Sequence, residues 1–367
     1  MRKAVRILGT RGVPARHSGF ESFGERLALD LLERGWAVTV YCQEAAGQPF
    51  AEDLWRGVRR VRIPAPGSPS VASVFFDLRS TLHAARQREL ALVLGYNTAL
   101  FSAWYRLRGV PSIMNMDGMD RLRPKWRFPI RQFFALNERL GPVFSDHLIA
   151  DHPAIADYLA ARVDRKHISM IAYGSDRVET ADPEVPRAHG LTPGEYALVV
   201  CRPESGHSLS RIVAAFSRCV RPVKLAVLGD YDAGNAFHRH IRSLASDQVV
   251  FPGAVYDRPA LEALRVHARL YIHGHRFGGT NPSLVEALGA GSPVLARDNP
   301  FNRWVAGEGA RYFRDEAECA VQLDRLLGDR EALGAMAAAS RTRHAQAFTW
   351  KAIADRYEEV LLRWLPA

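Results

Sequence analysis

The sequence has little of what marks secreted, membrane-spanning or metal-clustering proteins. Only four of its 367 residues are cysteine, and they lie far apart with no metal-ligand or redox spacing. No apolar run reaches the length of a membrane-spanning helix, and the apolar run at residues 4–8 is too short for a signal peptide. These features predict a reduced, cytoplasmic protein. The four cysteines are Cys42, Cys201, Cys219 and Cys319.

Several functional signatures are absent as well. The loop at residues 9–19, after the first predicted strand, does not have the Gly-x-Gly-x-x-Gly spacing of dinucleotide sites, which disfavours an NAD-dependent dehydrogenase. No zinc finger, RNA-recognition signature or helix-turn-helix stands out, so nucleic acid ranks last among the partners considered. We predict neither a cofactor nor a bound metal.

Positive charge is in excess and is unevenly distributed. The formal net charge is +10, and residues 1–182 contribute +7 of it through 26 Lys and Arg against 19 Asp and Glu. A basic first half indicates an anionic partner, which charge alone does not identify. The length is comfortable for two domains, and the Pro-rich and acidic stretch 177–194 is the predicted linker between them.

The first 41 residues are typical of a β-α-β unit. A strand at 4–8, a long loop, a helix at about 20–34 and a strand at 37–41 follow one another. The loop lies where an open parallel sheet binds ligands, and Arg11 is its natural cation. An exposed loop arginine is structural about as often as it is functional.

The most informative stretch is residues 273–296, which reads His-Gly-His-Arg-Phe-Gly-Gly-Thr-Asn-Pro-Ser-Leu-Val-Glu-Ala-Leu-Gly-Ala-Gly-Ser-Pro-Val-Leu-Ala. It predicts a glycine-rich loop after a buried strand and a helix that begins near Asn281 or Pro282. The free amides and the dipole at such a helix start bind phosphate. One turn further on, the carboxylate of Glu286 can accept hydrogen bonds from two vicinal sugar hydroxyls. Together these features indicate a nucleotide pocket.

This run resembles the donor-binding motif of family 4 retaining glycosyltransferases. With Asp298-Asn299-Pro300-Phe301-Asn302-Arg303 it is similar to a bacterial branch that includes rhamnosyltransferases of cell-wall and capsular polysaccharide. The resemblance implies the GT-B fold, an α/β fold of two doubly wound Rossmann-like domains facing a cleft. We expect an acceptor-binding domain at 1–180, a nucleotide-sugar-binding domain at 181–348 and a helix at 349–367 that returns to the first domain.

The resemblance also implies donor-binding residues. Arg202 matches the arginine that clamps the donor diphosphate, and a guanidinium suits that task, although a surface salt bridge is the alternative. The family's accompanying lysine is missing near Gly206-His207, and Gly278 stands where the wider family has a first glutamate, a role that His275 could take. Trp304 stands where the narrower branch has a glutamate. The predicted donor-binding residues are Arg11, Gly12, Gly19, Arg202, Tyr256, Gly278, Gly279, Thr280, Asn281 and Glu286.

On the acceptor side, Asp117 follows a predicted strand at 110–114 and is a candidate catalytic residue together with Arg202 and His275; the alternative is a turn cap. The stretch 121–134 interleaves basic and aromatic residues. This pattern suits an anionic membrane surface or a lipid-linked diphosphate, and equally a solvated face over a packed helix. The predicted acceptor-binding residues are Tyr96, Asn97, Asp117, Arg121 and Lys125.

The sequence and the resemblance together predict a cytoplasmic, metal-independent glycosyltransferase, with peripheral contact at the inner face of an anionic membrane as a further option. The resemblance implies that the reaction retains the anomeric configuration. The departing phosphate oxygen would take the acceptor proton, so that no carboxylate nucleophile is required. The resemblance favours dTDP-L-rhamnose as donor, ahead of UDP- and GDP-sugars, and a saccharide or lipid-linked saccharide as acceptor. The alternatives are a GT-B-like scaffold without catalysis and a nucleotide-sugar 2-epimerase.

Overall fold

The computed structural model describes residues 3–15, 19–116, 118 and 128–366, and the chain divides into two compact units. The first unit is Met1–Ala172 together with Lys351–Ala367, and the second is Tyr173–Trp350. Each unit is an α/β structure built on its own, mainly parallel sheet. Among the described residues, no helix is long and apolar enough to cross a membrane.

An eight-stranded sheet forms the centre of the first unit. Its strands are β1 (Ala4–Leu8), β2 (Ala37–Glu44), β3 (Ala51–Trp55), β4 (Val58–Pro64), β5 (Leu90–Leu94), β6 (Ser112–Asn115), β7 (His147–Ala150) and β8 (Ile168–Met170). Their order is β3-β4-β2-β1-β5-β6-β7-β8. The chain runs outward in opposite directions from β1 and β5, so the switch point of the sheet lies between these two strands, where such folds bind ligands.

The helices of this unit follow from amphipathic stretches between the strands. They are α1 (Gly19–Glu33), α2 (Pro69–Ala84), α3 (Ala103–Arg108), α4 (Phe128–Phe144) and α5 (Pro153–Ala160), with a 3₁₀ turn at Ala99–Ser102. In α1, Phe23, Leu27 and Leu31 recur at helical spacing and are all buried. The predicted helix at about 20–34 therefore agrees with the structure to within one residue at each end.

The sequence reading missed strand β3, which pairs antiparallel with β4 at the sheet edge. The two strands are joined through Arg56 and Gly57, whose positive φ angles of 48° and 85° suit the tight turn of a hairpin. Arginine is not a preferred residue in such a turn. The strand Ala-Glu-Asp-Leu-Trp shows no clear alternation of apolar and polar residues, and the side chain of Leu54 is exposed. Neither signal was strong enough to reveal the hairpin.

The second unit is built on a six-stranded sheet in the order β11-β10-β9-β12-β13-β14, with every recorded pair parallel. Its strands are β9 (Tyr196–Val200), β10 (Lys224–Leu228), β11 (Val249–Gly253), β12 (Leu270–His273), β13 (Val294–Arg297) and β14 (Arg311–Phe313). Its helices are α6 (Glu184–Ala188), α7 (Leu209–Ser217), α8 (Ala236–Ser243), α9 (Arg258–Val266), α10 (Pro282–Gly289), α11 (Pro300–Ala306), α12 (Glu316–Leu327) and α13 (Arg330–Ala347). The stretch predicted as a linker, 177–194, lies in this unit and contains α6.

The last helix, α14 (Trp350–Arg363), supplies residues from 351 onward to the first unit. The hydroxyl of Tyr357, a buried residue, accepts a hydrogen bond from Asn115 Nδ2 at 2.8 Å. The carboxylate of Glu358 accepts hydrogen bonds from Lys3, Arg34 and Trp36 at 2.9–3.1 Å. The end of the chain thus completes the core of the unit that its beginning forms.

Candidate functional site

In the second unit, the loop between β12 and α10 packs directly on the loop that follows β9. A Cβ atom at Gly274 would lie 2.0 Å from the carbonyl oxygen of His207, so only glycine fits. The amide of Arg276 donates to the carbonyl of Gly206 at 3.0 Å. The predicted phosphate loop and the loop that carries Arg202 therefore form one continuous structure at the carboxyl edge of the sheet.

A column of stacked rings runs through this junction. The ring of His273 lies 6.2 Å from that of Tyr271 and 4.3 Å from that of His275, with an angle of only 5° between the two imidazoles. The ring of His275 stacks in turn on His207 at 3.9 Å. His207 Nδ1 lies 2.6 Å from the carbonyl oxygen of Arg202, which fixes the backbone of that residue relative to the column.

His273 is an uncharged member of the column. It is 1% exposed, and neither of its ring nitrogens has a hydrogen-bond partner within the described ranges. Burial, and then the nearby His207, lower the pKa of His273 to about 3, because a protonated ring would be desolvated beside another imidazole. His273 therefore acts as a flat packing surface at neutral pH. Among the residues that the structure describes, no group of three or more His, Cys, Asp or Glu side chains could hold a metal ion.

The residues 298–303 support the loop from behind. The side chain of Asn302 donates to the carbonyl oxygens of His275 and Arg297 at 2.9 and 2.8 Å, and that of Asn299 donates to the carbonyl of His275 at 3.0 Å. Asn299 also caps α11, and Arg303 pairs through two nitrogens with Asp298. This second part of the sequence motif thus holds His275 in place.

The N terminus of α10 has no side-chain cap. Asn281 occupies the N-cap position with φ −70° and ψ 118°, yet its side chain makes no capping hydrogen bond, and Pro282 takes the first helical position. Gly278, at φ +133°, lies where a Cβ would be 3.0 Å from Asn281 Oδ1. Gly279 and Thr280 are buried. The backbone amides of this turn and the positive end of the helix dipole form a site that suits an anion.

Glu286 has a partner that the sequence reading did not identify. Its Oε2 lies 2.5 Å from Nη2 of Arg265, whose side chain is only 3% exposed, whereas the Glu286 side chain is 40% exposed. Arg265 lies on α9, and no local sequence signal connects the two residues. The carboxylate thus neutralises a buried arginine and still presents its other face to solvent.

This pair leads to a first prediction. Glu286→Gln should lower the free energy of unfolding by about 2 kcal/mol, less than the roughly 3–5 kcal/mol of a fully buried pair because Glu286 is partly exposed. The double variant Arg265→Met/Glu286→Gln should recover most of the loss in thermal denaturation, since no charge is then left unpaired. Equal instability of the single and double variants would contradict the structural role of the pair.

Arg202 is 65% exposed, and its nearest acidic partner is Glu204, with 3.8 Å between Arg202 Nη1 and Glu204 Oε1. An ion pair this long is weak in solvent. The contact with Glu204 therefore leaves the Arg202 guanidinium able to bind another anion. Arg202 lies in the loop that packs on Gly274, and that loop is bonded to the predicted phosphate loop through Gly206 and Arg276.

Three further arginines contribute positive charge that the sequence reading missed. Arg297 ends β13, Arg276 lies in the glycine-rich loop, and Arg211 lies in the first turn of α7. Partial burial of Arg297, and then repulsion from Arg211 and Arg276, lower the pKa of Arg297. A guanidinium under such repulsion is stabilised by an anion. Of the three, Arg276 is bonded through its amide to Gly206, near the place where the family's lysine is missing.

In the first unit, the loop after β1 lies at the switch point of the sheet. A Cβ at Gly12, where φ is +109°, would lie 2.5 Å from Cys42 Sγ. The carbonyl of Arg11 accepts a hydrogen bond from the amide of Gln43, and its side chain is exposed. Gly19 is the exposed first residue of α1.

Of the predicted acceptor-binding residues, the structure describes two, Tyr96 and Asn97. Tyr96 is buried and Asn97 exposed immediately after β5. Asp117, Arg121 and Lys125 lie outside the described residues.

Two further segments of the second unit carry residues of interest, and the one after β10 contacts the loop of Arg202, since His238 Nε2 lies 3.0 Å from the carbonyl oxygen of Pro203. Tyr256 is 73% exposed and follows the edge strand β11. Asp230-Tyr231-Asp232, after β10, is an Asp-x-Asp sequence that the prediction of a metal-independent enzyme overlooked. Asp232 Oδ1 accepts a hydrogen bond from the amide of Gly234 at 2.7 Å, which is an ordinary turn-forming contact.

Two family models match the chain. Residues 2–176 match a domain of unknown function (DUF1972), and residues 215–359 match a model described as glycosyl transferase-like. No curated protein matches.

Among solved structures, sucrose-phosphate synthase from Thermosynechococcus elongatus is similar over 99% of both chains, with a TM-score of 0.81 and 17% identity. Anabaena HepE in complex with UDP-glucose is similar over 99% of this chain and 100% of its own, with a TM-score of 0.75 and 15% identity. An E. coli structure described as trehalose-6-phosphate bound with UDP-2-fluoro glucose has a TM-score of 0.72 and 11% identity, over 99% of this chain and 100% of its own. At these identities the similarity concerns the fold.

Proposed function

We propose that the chain is a GT-B glycosyltransferase that transfers a sugar from a nucleotide-sugar donor, a reading supported by its fold and by the glycosyl transferase-like model that matches residues 215–359. The observation that carries the proposal is the N terminus of α10, where the side chain of the N-cap residue Asn281 makes no capping hydrogen bond. A diphosphate fits such a turn, and the exposed face of Glu286 lies one turn further along.

The proposed donor site extends from this turn. Thr280, Asn281 and the glycines Gly278 and Gly279 would hold the phosphates, and the exposed Tyr256 would lie near the base. In the first unit, Arg11, Gly12 and Gly19 would face the donor. Support for this assignment comes from the positions of these residues in loops at the carboxyl ends of strands, the edge at which α/β sheets bind ligands.

Arg202 is the proposed main stabiliser of the leaving diphosphate. As the bond between the sugar C1 and the phosphate oxygen breaks, negative charge accumulates on the diphosphate, and a fixed guanidinium and a helix dipole both stabilise that charge. Arg211, Arg276 and Arg297 add to the same field and offset the missing lysine. His275 is the proposed substitute for the missing first glutamate, because the loop and Asn302 hold it in place.

We propose that the reaction retains the anomeric configuration and needs no metal. The acceptor oxygen would bond to C1 on the face that the phosphate leaves, and a phosphate oxygen would take the acceptor proton. Asp117, which follows β6, would orient the acceptor together with Tyr96, Asn97, Arg121 and Lys125. An acceptor attached to a lipid, in the synthesis of a cell-surface polysaccharide, is consistent with the basic first half of the chain.

The proposed donor is dTDP-L-rhamnose, with a UDP-sugar as the second candidate because HepE is described in complex with UDP-glucose. A thermal-shift panel of dTDP, UDP, GDP, ADP and NAD tests this choice. At a concentration of 100 Kd, the bound nucleotide should stabilise the protein by about 2.7 kcal/mol. One nucleoside diphosphate should shift the wild-type melting temperature and should fail to shift that of Arg202→Ala.

The same panel includes the double variant Arg265→Met/Glu286→Gln, which keeps the core neutral and removes the carboxylate. The nucleotide sugar of the responding diphosphate is added to the panel for this comparison. If the wild type shows a larger shift with the nucleotide sugar than with the free diphosphate and the double variant does not, Glu286 is assigned to the sugar. Silence across all nucleotides would contradict the transferase proposal and favour a scaffold. Conversion of a nucleotide sugar to its C2 epimer without acceptor would favour an epimerase.

A further inference from the structure

One surface of the first unit exposes far more apolar side chain than the rest of the chain. It is formed by α2, by residues 99–108, which comprise the 3₁₀ turn and α3, and by α4. We call it the helical surface. Its 43 residues carry 11 of the 17 large hydrophobic side chains that are exposed in the described part of the chain. They are Val71, Val74, Leu78, Leu100, Trp104, Leu107, Phe128, Ile130, Phe133, Leu136 and Val143.

The helical surface is one rigid structure, since hydrogen bonds join its parts. Thr98 Oγ1 donates to Asp77 Oδ2 on α2 at 2.8 Å. The side chain of Asn137 on α4 is fully buried and accepts from the amide of Leu100 at 2.9 Å, while its Nδ2 donates to the carbonyl of Phe133 at 3.0 Å. These bonds hold the helices that carry the exposed apolar side chains against one another.

The exposed charged side chains of the helical surface are all positive. The acidic residues are Asp77, which accepts from Thr98, and Glu138, which is buried and accepts from Tyr158. The exposed charged residues are all arginines: Arg79, Arg106, Arg108, Arg131 and Arg139. The ligand of this surface must accept apolar side chains and supply negative charge at the same time.

We propose that the helical surface binds an anionic lipid bilayer. Apolar side chains with an indole among them, bordered by arginines, match the boundary between acyl chains and phosphate headgroups. Exposed patches of this kind are rare on proteins that bind nothing. The inference extends the proposed function, because it names the surface that would bring the enzyme to a lipid-linked acceptor, but its evidence lies in the first unit alone.

Co-sedimentation of the full chain with vesicles tests the proposal without any transfer assay. Vesicles of phosphatidylcholine with about 30% phosphatidylglycerol should bind the protein, and phosphatidylcholine alone should bind it much more weakly. Leu107→Ser/Phe133→Ser should weaken binding by about tenfold or more, because both side chains lose their apolar contact with lipid. The matched control is Val220→Ser/Val321→Ser, two exposed apolar positions of the second unit, which should leave binding unchanged.

Two double variants that reverse charge test the role of the arginines. Arg106→Glu/Arg108→Glu should reduce binding to the anionic vesicles, and Arg325→Glu/Arg330→Glu, with the same change of charge in the second unit, should reduce it much less. Equal losses in both pairs would mean attraction by net charge only and would overturn the proposal. It would also be overturned by absence of wild-type binding, or by light scattering that shows a dimer lost in Leu107→Ser/Phe133→Ser, which would make the surface an interface between two copies.

Discussion

Arg202→Ala is expected to lower kcat/KM for release of the nucleoside diphosphate by about 10²–10³, the usual effect of removing one group that stabilises developing charge. The guanidinium is 65% exposed, and its ion pair within the described part of the chain is a 3.8 Å contact with Glu204, which is itself partly exposed, so no buried charge is left behind when Arg202 is removed. The folded structure should therefore be unchanged, and the loss should appear in catalysis. Steady-state kinetics with the donor found by the thermal-shift panel measure it.

Two further variants test whether the loss is specific to the Arg202 guanidinium. Arg202→Lys keeps the charge without the planar fork and should recover only part of the activity. Arg218→Ala removes another exposed arginine, paired with Glu316 at the far end of α7, and should behave as wild type. If Arg202→Ala retains wild-type kinetics, the diphosphate is held by other groups, and Arg211, Arg276 and Arg297 are the next to replace.

Gly274→Ala is expected to destabilise the second unit by about 3 kcal/mol or more and to lower its melting temperature by roughly 6–12 °C. The added Cβ would lie 2.0 Å from the carbonyl oxygen of His207 and 2.8 Å from Ile212 Cδ1. A backbone oxygen cannot rotate away, so the two loops must separate. Nucleotide binding should weaken together with stability, because the same junction positions Arg202 and the N terminus of α10.

Gly206→Ala serves as the matched control for this variant. Gly206 lies in the same loop junction, yet a Cβ built there meets no atom within 4 Å. Differential scanning calorimetry should show a melting temperature close to that of wild type for Gly206→Ala. A similar loss in both variants would mean that loop flexibility, and not the close approach at Gly274, determines stability.

The sequence was sufficient for the GT-B fold and the principal loop. A long run of matched residues at 273–296 carried that prediction, and the structure places the start of α10 at Pro282, where proline indicated it. Strands such as β5 (Leu90–Leu94) were evident because a parallel strand buried on both faces is a continuous apolar run.

What the sequence could not provide were contacts between distant segments. The pair of Arg265 and Glu286 joins two helices, and an arginine in an ordinary helical stretch gives no sign that it is buried. The ring column depends on how the loop carrying His207 folds onto His275, which local propensity does not determine. Residues 298–303 could be recognised from the sequence as part of a motif. Their hydrogen bonds to the His275 carbonyl could not, because they also join segments that are distant in the sequence.

The contribution of α14 to the first unit bears on the order in which the protein can fold during synthesis. Lys3 and Glu358, which pair at 3.1 Å, are separated by 355 positions, and all of Tyr173–Trp350 is translated between them. The second unit has its complete set of residues on the ribosome before the first unit has its closing helix. Until then, Asn115 and Phe23 lack their contacts with Tyr357, so the unit that is translated first is completed last.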